Sequence, residues 1–149
     1  MRLKRAGHGC FSVKTNNTIK EIYVIGGSTQ QDYSSSTEVL NVQNLTWSDG
    51  PSLPFGMYGL KAVASVQDEY IGFVVGGNTK GGPLNTIFGL KKSNKNLSWI
   101  EIGRMNMTRF DHTVVNAPLS LMTSCVLNSS CCQVRYIYYP SSVYKKVFQ

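Results

Sequence analysis

One property of this sequence restricts its fold more than any other: the chain repeats itself about every fifty residues. The stretch Ile22-Tyr23-Val24-Ile25-Gly26-Gly27 returns as Gly72-Phe73-Val74-Val75-Gly76-Gly77, the second glycine of each pair lying 50 residues apart (27 to 77). Asn44-Leu45-Thr46-Trp47 returns as Asn96-Leu97-Ser98-Trp99, 52 residues on (47 to 99). Arg5-Ala6-Gly7-His8 returns as Arg109-Phe110-Asp111-His112, 104 residues on (8 to 112), which is two periods. Three landmarks agree on one spacing, so the chain is an array of one structural unit.

Each unit reads as a set of short strands. Ile22–Ile25 and Phe73–Val75 are runs of β-branched and aromatic residues, too short for helices, that stop at a glycine pair. A glycine pair there permits positive φ and a close backbone approach that a Cβ would block. A polar loop follows, over 28–36 in the first unit and 78–83 in the second. Then comes a third strand, Thr37–Val42 or Asn85–Leu90, a turn carrying Asn, and a fourth strand holding Trp47 or Trp99. With a first strand over 8–13, 59–66 or 112–116, the unit has four strands and no helix. A single four-stranded sheet cannot hide both of its faces, so such units must stack, as the blades of a propeller do.

These residues resemble the kelch repeat. Arg5 and His8 in the lead-in, Tyr23 before Gly26-Gly27, Glu38-Val39 on the third strand, Trp47, and Gly50-Pro51-Ser52-Leu53-Pro54 match its pattern in the first unit. The second unit keeps Gly76, Gly77 and Trp99, has Phe73 at the tyrosine place, replaces the Glu-Val pair with Ile87-Phe88, and has a lead-in without Arg or His. The resemblance implies an all-β, partial kelch-type β-propeller of four-stranded antiparallel blades in an incomplete ring. Blade 1 spans about 5–54, blade 2 about 55–106, and the first strand of blade 3 about 107–116. Where the next glycine pair is due, the sequence reads Cys125-Val126-Leu127-Asn128-Ser129-Ser130-Cys131-Cys132. Residues 117–149 therefore read as a non-repeat tail. Kelch propellers close with six or seven blades, so two blades and a strand read as a fragment, or as a chain that assembles with others to complete the ring.

Composition narrows the function classes. Apolar residues make up 42% and charged residues 15%, against a usual charged fraction of about 25%, which excludes a charge-rich disordered chain. No apolar run reaches the ~18 residues of a membrane span. Ala6-Gly7-His8-Gly9 stands where the apolar core of a signal peptide would follow Met1–Arg5. The net charge of +7 comes from 15 basic and 8 acidic residues. Its densest internal cluster, Lys91, Lys92 and Lys95, is a lysine-rich turn and not the long basic stripe of a nucleic-acid face. The four cysteines include the vicinal Cys131-Cys132 and no CxxC pair, poor geometry for zinc. They read as reduced thiols of a cytoplasmic chain. Five Asn-x-Ser/Thr sequons, at Asn16, Asn44, Asn96, Asn106 and Asn128, point the other way, but two sit in the repeated turn that prefers Asn, and without a signal peptide they read as unused.

No catalytic set emerges. Asp68 and Glu69 are adjacent and point apart, and no nucleophile elbow or phosphate loop is present. A copper-radical oxidase of the galactose-oxidase type is built on a kelch-like propeller, but its ligand set is not matched here, and repetition alone explains His8 and His112. The expectation is no cofactor and no metal. Tyr23, Gly26, Gly27, Trp47, Phe73, Gly76, Gly77 and Trp99 read as scaffold, with each Trp packed inside its blade.

The resemblance implies that the lead-ins and the 28–36 and 78–83 loops gather on one face and bind a protein. Arg5 and Arg109 would offer guanidinium groups to acidic segments, with Phe55, Met57, Tyr58 and Phe110 as apolar anchors. The implied function is a non-enzymatic protein-interaction module, of the ubiquitin-ligase substrate-adaptor or actin-associated kind. The alternative is a fragment of a secreted or enzymatic propeller.

Overall fold

The computed structural model describes residues 1–65, 69–93 and 96–116. The chain divides into two compact units, Met1–Thr113 and Val114–Gln149. Of the second, only residues 114–116 are described, and the expected tail over 117–149 lies outside the described residues.

The first unit is all β among the described residues. Strands β1 (Gly9–Thr15), β2 (Thr18–Ile25), β3 (Thr37–Asn41) and β4 (Thr46–Gly50) form an antiparallel sheet in sequence order. Strands β5 (Lys61–Ala64), β6 (Tyr70–Val75), β9 (Thr86–Ser93) and β10 (Asn96–Arg104) form a second sheet of the same order. Between them in sequence, β7 (Asn78–Thr79) and β8 (Gly82–Pro83) make a small hairpin inside the expected 78–83 loop. Each four-stranded sheet is a kelch-type blade, and the array is an open, partial propeller.

Local chemistry sets the turns. Asn16 and Asn17, at φ 50° and 61°, close the β1–β2 hairpin in the left-handed region that a two-residue hairpin requires and that Asn tolerates. The β3–β4 turn is held by side-chain carbonyls. Asn41 Oδ1 accepts from the Gln43 and Asn44 N–H groups, and Asn44 Oδ1 accepts from the Thr46 N–H. The glycine pairs Gly26-Gly27 and Gly76-Gly77 all sit at positive φ. Gly26 N–H donates to Ser36 O at 3.0 Å and Gly76 N–H to Thr86 O at 2.9 Å, so the two blades turn through the same hydrogen bond.

The main core lies between the blades. Phe11, Tyr23, Ile25 and Val39 from blade 1 pack with Val74, Phe88, Leu90 and Trp99 from blade 2, joined by Leu53, Met57 and Leu60 of the linker. The Phe11 ring stacks on Tyr23 at 5.0 Å and rests on Gly72, where a Cβ would fall 2.5 Å from the ring. Trp99 belongs to this seam. It is 7% exposed, and its indole N–H reaches Thr37 Oγ1 at 3.3 Å and Pro51 O at 3.0 Å, both in blade 1. It therefore bridges the seam, tied by its indole N–H to blade 1.

Two expectations are corrected here. Trp47 is half-exposed and outside the core cluster, because a tryptophan at this place is buried by the preceding blade, and among the described residues none covers blade 1. Residues 107–116 form no strand. A strand exists through its ladder, and the partner that the repeat would supply falls after residue 116, outside the described residues.

Candidate interaction site

The three lead-ins occupy equivalent stations, and backbone hydrogen bonds prove the register. Gly27 N–H donates to Met57 O, and Gly77 N–H to Arg109 O, each at 2.8 Å. Ala6 pairs with Ser28 as Tyr58 pairs with Asn78. Gly59 N–H donates to Gly7 O and Asp111 N–H to Gly59 O, each at 2.7 Å. Hence Arg5, Met57 and Arg109 are counterparts, as are Ala6, Tyr58 and Phe110, and His8, Leu60 and His112. Two residues earlier, Leu3, Phe55 and Met107 form another set.

That last set is the informative one. Leu3 is 39%, Phe55 42% and Met107 66% exposed, so each repeat leaves one large apolar side chain in water at the same station. Phe110 is exposed as well. Tyr58 lies between Tyr33 and Phe110, its ring centroid 4.6 Å from one and 6.4 Å from the other. Phe55 stands edge-on to Phe88 at 5.9 Å, exposed outward and anchored inward. The result is a rim of aromatic and aliphatic groups running from lead-in to lead-in. Solitary exposed apolar residues are ordinary, whereas one that recurs at the same station of each lead-in, beside the Tyr33–Tyr58–Phe110 ring contacts, is a candidate contact surface.

Beside Phe55 lies a groove of about 440 Å³ lined by Tyr33, Gly56, Thr79, Leu84 and the Asp32–Lys80 pair. Lys80 Nζ and Asp32 Oδ2 approach to 2.5 Å, joining a blade 1 loop to a blade 2 hairpin. The hydrogen bond from Lys80 holds the Asp32 carboxyl below its ordinary value. Burial and the neighbouring Tyr58 phenol push the Tyr33 hydroxyl up. Tyr58 Oη also accepts from Asn78 Nδ2 at 3.1 Å.

Of the residues expected to bind a partner, Phe55, Tyr58, Arg109 and Phe110 stand on this rim. Met57, also expected as an anchor, does not, because it is wholly buried in the core between the blades. Arg5 does not either, and its expected role is corrected. Its side chain is wholly buried, donating to Gly26 O (2.6 Å), Ser36 O (3.1 Å), Ser36 Oγ (2.9 Å) and Glu38 Oε2 (2.9 Å). A guanidinium in that position finds its carboxylate inside its own blade. Burial alone would raise the Glu38 carboxyl. The N–H groups of Arg2 and Leu3 and the Arg5 guanidinium outweigh that effect and hold it below its ordinary value. Sequence reasoning put Met107 and the 28–36 loop that holds Tyr33 on the expected face without naming either as an anchor, and it missed Leu84, which depends on how two loops fold toward each other.

His8 and His112 are partly buried, and burial lowers both imidazoles. His8 Nδ1 and both ring nitrogens of His112 have no hydrogen-bond partner. Among the described residues no three of His, Cys, Asp and Glu gather as metal ligands, and no helix is long and apolar enough to cross a membrane.

Residues 20–54, from β2 through β4 and the linker, match the family model for the Kelch motif. The chain contains a Kelch motif. No curated protein matches it. The match covers Tyr23, Gly26-Gly27 and Glu38, the acidic member of the buried pair with Arg5. Blade 2 has the same strand order, with Met57 and Phe88 at the arginine and glutamate stations. Kelch repeats form β-propeller modules that bind other proteins, and most such domains are not enzymes.

Proposed function

We propose that this kelch array is a non-enzymatic protein-interaction module that binds a partner protein through the lead-in rim, in the manner of a substrate adaptor or an actin-associated propeller. The observation that carries the reading is the row Leu3, Phe55 and Met107, an exposed apolar residue recurring at one station in successive repeats. Folding gains from burying such groups, so a row of them left in water fits a surface that a partner covers. The aromatic groups beside it are the residue types that dominate binding energy at interfaces.

The test is selection of a displayed random-peptide library on the immobilised full chain, run in parallel on a Phe55→Ser/Met107→Ser/Phe110→Ser variant with unchanged far-UV dichroism. Peptides enriched on the native chain and lost on the variant support the reading. Failure to enrich any peptide, or enrichment indifferent to the three substitutions, sinks it.

A further inference from the structure

Away from the rim, one carboxylate stands apart. Glu21, Tyr23 and Ile25 alternate along β2, so all three point to the face that packs on blade 2. Ile25 and Tyr23 are buried there. Glu21 is half-buried, where the seam opens into a cleft of about 440 Å³ between β2, β4 and the start of β10.

The carboxylate is held in place and has no counter-charge. Tyr23 Oη donates to Glu21 Oε2 at 3.0 Å. Burial, and then the Glu21 charge, push that phenol up, so it keeps its proton and remains a donor. Asp32, Glu38, Asp49, Glu69, Glu101 and Asp111 each pair with a lysine or arginine. Among the described residues Glu21 pairs with none, in a chain that has 15 basic residues.

The repeat does not require an acid at this station. Asn41 and Lys91 are equivalent, each following the leucine paired with its blade's tryptophan. Glu21 pairs with the first and Tyr70 with the second. Blade 2 therefore meets the same station with an aromatic ring, stacked beside Phe73.

The rest of the lining selects the cation. No lysine or arginine lines the cleft, and Asp49 on its wall is already taken by Arg2. Ser48 and Asn96 add neutral oxygens, while Tyr23, Val39 and Leu97 add flat or aliphatic surface. An ammonium is compact and strongly hydrated, so leaving water for such walls is costly. A guanidinium is planar and weakly hydrated, and its fork of donors can reach a carboxylate while its plane rests on an apolar wall. The cleft is shallow and open, which suits a side chain carried by a larger molecule resting on the surface around it. The net charge of +7 repels a polybasic partner and favours a single cation in neutral surroundings.

We propose that the cleft over Glu21 binds an arginine side chain of a partner protein, a contact that shares no residue with the lead-in rim.

The experiment is a heteronuclear NMR titration of the full chain with acetyl-arginine methylamide, its neutral citrulline isostere, its lysine counterpart and free arginine. The blocked arginine should shift the amides of Glu21, Ser48 and Leu97. It should bind at least about tenfold more tightly than the citrulline or lysine probe. Glu21→Gln keeps an acceptor for Tyr23 and should remove about that much while leaving the remaining spectrum in place. No response at these amides, citrulline or lysine binding as well as arginine, or indifference to Glu21→Gln overturns the proposal. Free arginine binding more tightly than the blocked form overturns the assignment to a protein side chain. The rim reading is judged separately, because the library selection turns on Phe55, Met107 and Phe110 and either result can fail alone.

Discussion

The two blades share a backbone and differ in what they bury at one station. In blade 1 the lead-in drops Arg5 into the sheet against Glu38. In blade 2 the counterparts are Met57 and Phe88, both buried members of the apolar core. Glu38 and Phe88 are equivalent by register, since Glu38 faces Val24 and Phe88 faces Val74 on the neighbouring strands. A buried ion pair and a methionine–phenylalanine pair thus perform the same mechanical task, pinning the lead-in to its blade. The difference teaches that this fold is specified by its turns and spacing, and that the chemistry at the pin is free to change as long as both members change together. A lone buried guanidinium or carboxylate has no place in either arrangement.

The sharpest way to break the comparison is to spoil one pin. Glu38→Ala should cost about 3–5 kcal/mol, because it leaves the Arg5 guanidinium buried and uncompensated. Urea denaturation followed by far-UV dichroism measures the loss. Importing blade 2's solution, Arg5→Met with Glu38→Phe, should recover most of it. A double variant as unstable as the single one would show that the two pins are not interchangeable.

A second contrast lies between the tryptophans. Trp99→Phe gives up the indole hydrogen bonds to blade 1 and should cost about 1–2 kcal/mol. Trp47→Phe, at the half-exposed counterpart, should stay within about 0.5 kcal/mol. Equal losses in the same denaturation assay would mean that Trp47 is covered after all.

Acid sharpens the comparison differently, since blade 2 has Leu60 where the other lead-ins have His8 and His112. Burial holds both imidazoles below 6.5, so the unfolded chain takes up these protons first. Their contribution is complete above 6.5 and is lost as the pH falls below it toward the folded values. Glu38, held below 4.5, contributes stability that is present above 4.5 and lost only as the pH drops through its lower folded value. Urea midpoints measured against pH should therefore decline in two stages, and His8→Leu should flatten the first while leaving the second. Superimposable profiles for the native chain and that variant would remove His8 from the account.

The smallest effect is expected where the loops of the two blades meet in water. Lys80→Ala breaks an exposed pair with Asp32, and such pairs are screened and entropically costly to hold. Its urea midpoint should not move measurably. A clear drop would mean that the hairpin carrying Lys80 is part of what holds the blades together.

Much of this was legible before any coordinates. The glycine pairs, the strand runs and the repeat spacing give both blades, because they depend on short-range backbone requirements: positive φ at Gly26 and Gly76, and β-branched residues at 22–25 and 73–75. What escaped depends on neighbours. Arg5 reads as a surface cation until the sheet shows that Glu38 points back at it. The two tryptophans are indistinguishable in sequence, and only the presence of a preceding blade separates their burial. The groove behind Phe55 is made by backbone contact between residues far apart in sequence, since a Cβ at Gly56 would collide with the Tyr33 carbonyl, and no local pattern announces that contact.

The hydrogen bonds from Gly27 to Met57 and from Gly77 to Arg109 also carry a direction in time. Each blade's turn is completed by an acceptor synthesised some thirty residues later, in the strap that opens the next unit. On the ribosome the first sheet emerges with an amide waiting, and the arrival of residue 57 both satisfies it and positions the following sheet. Growth by this rule is vectorial: each unit's glycine turn is closed only when the strap of the next unit arrives.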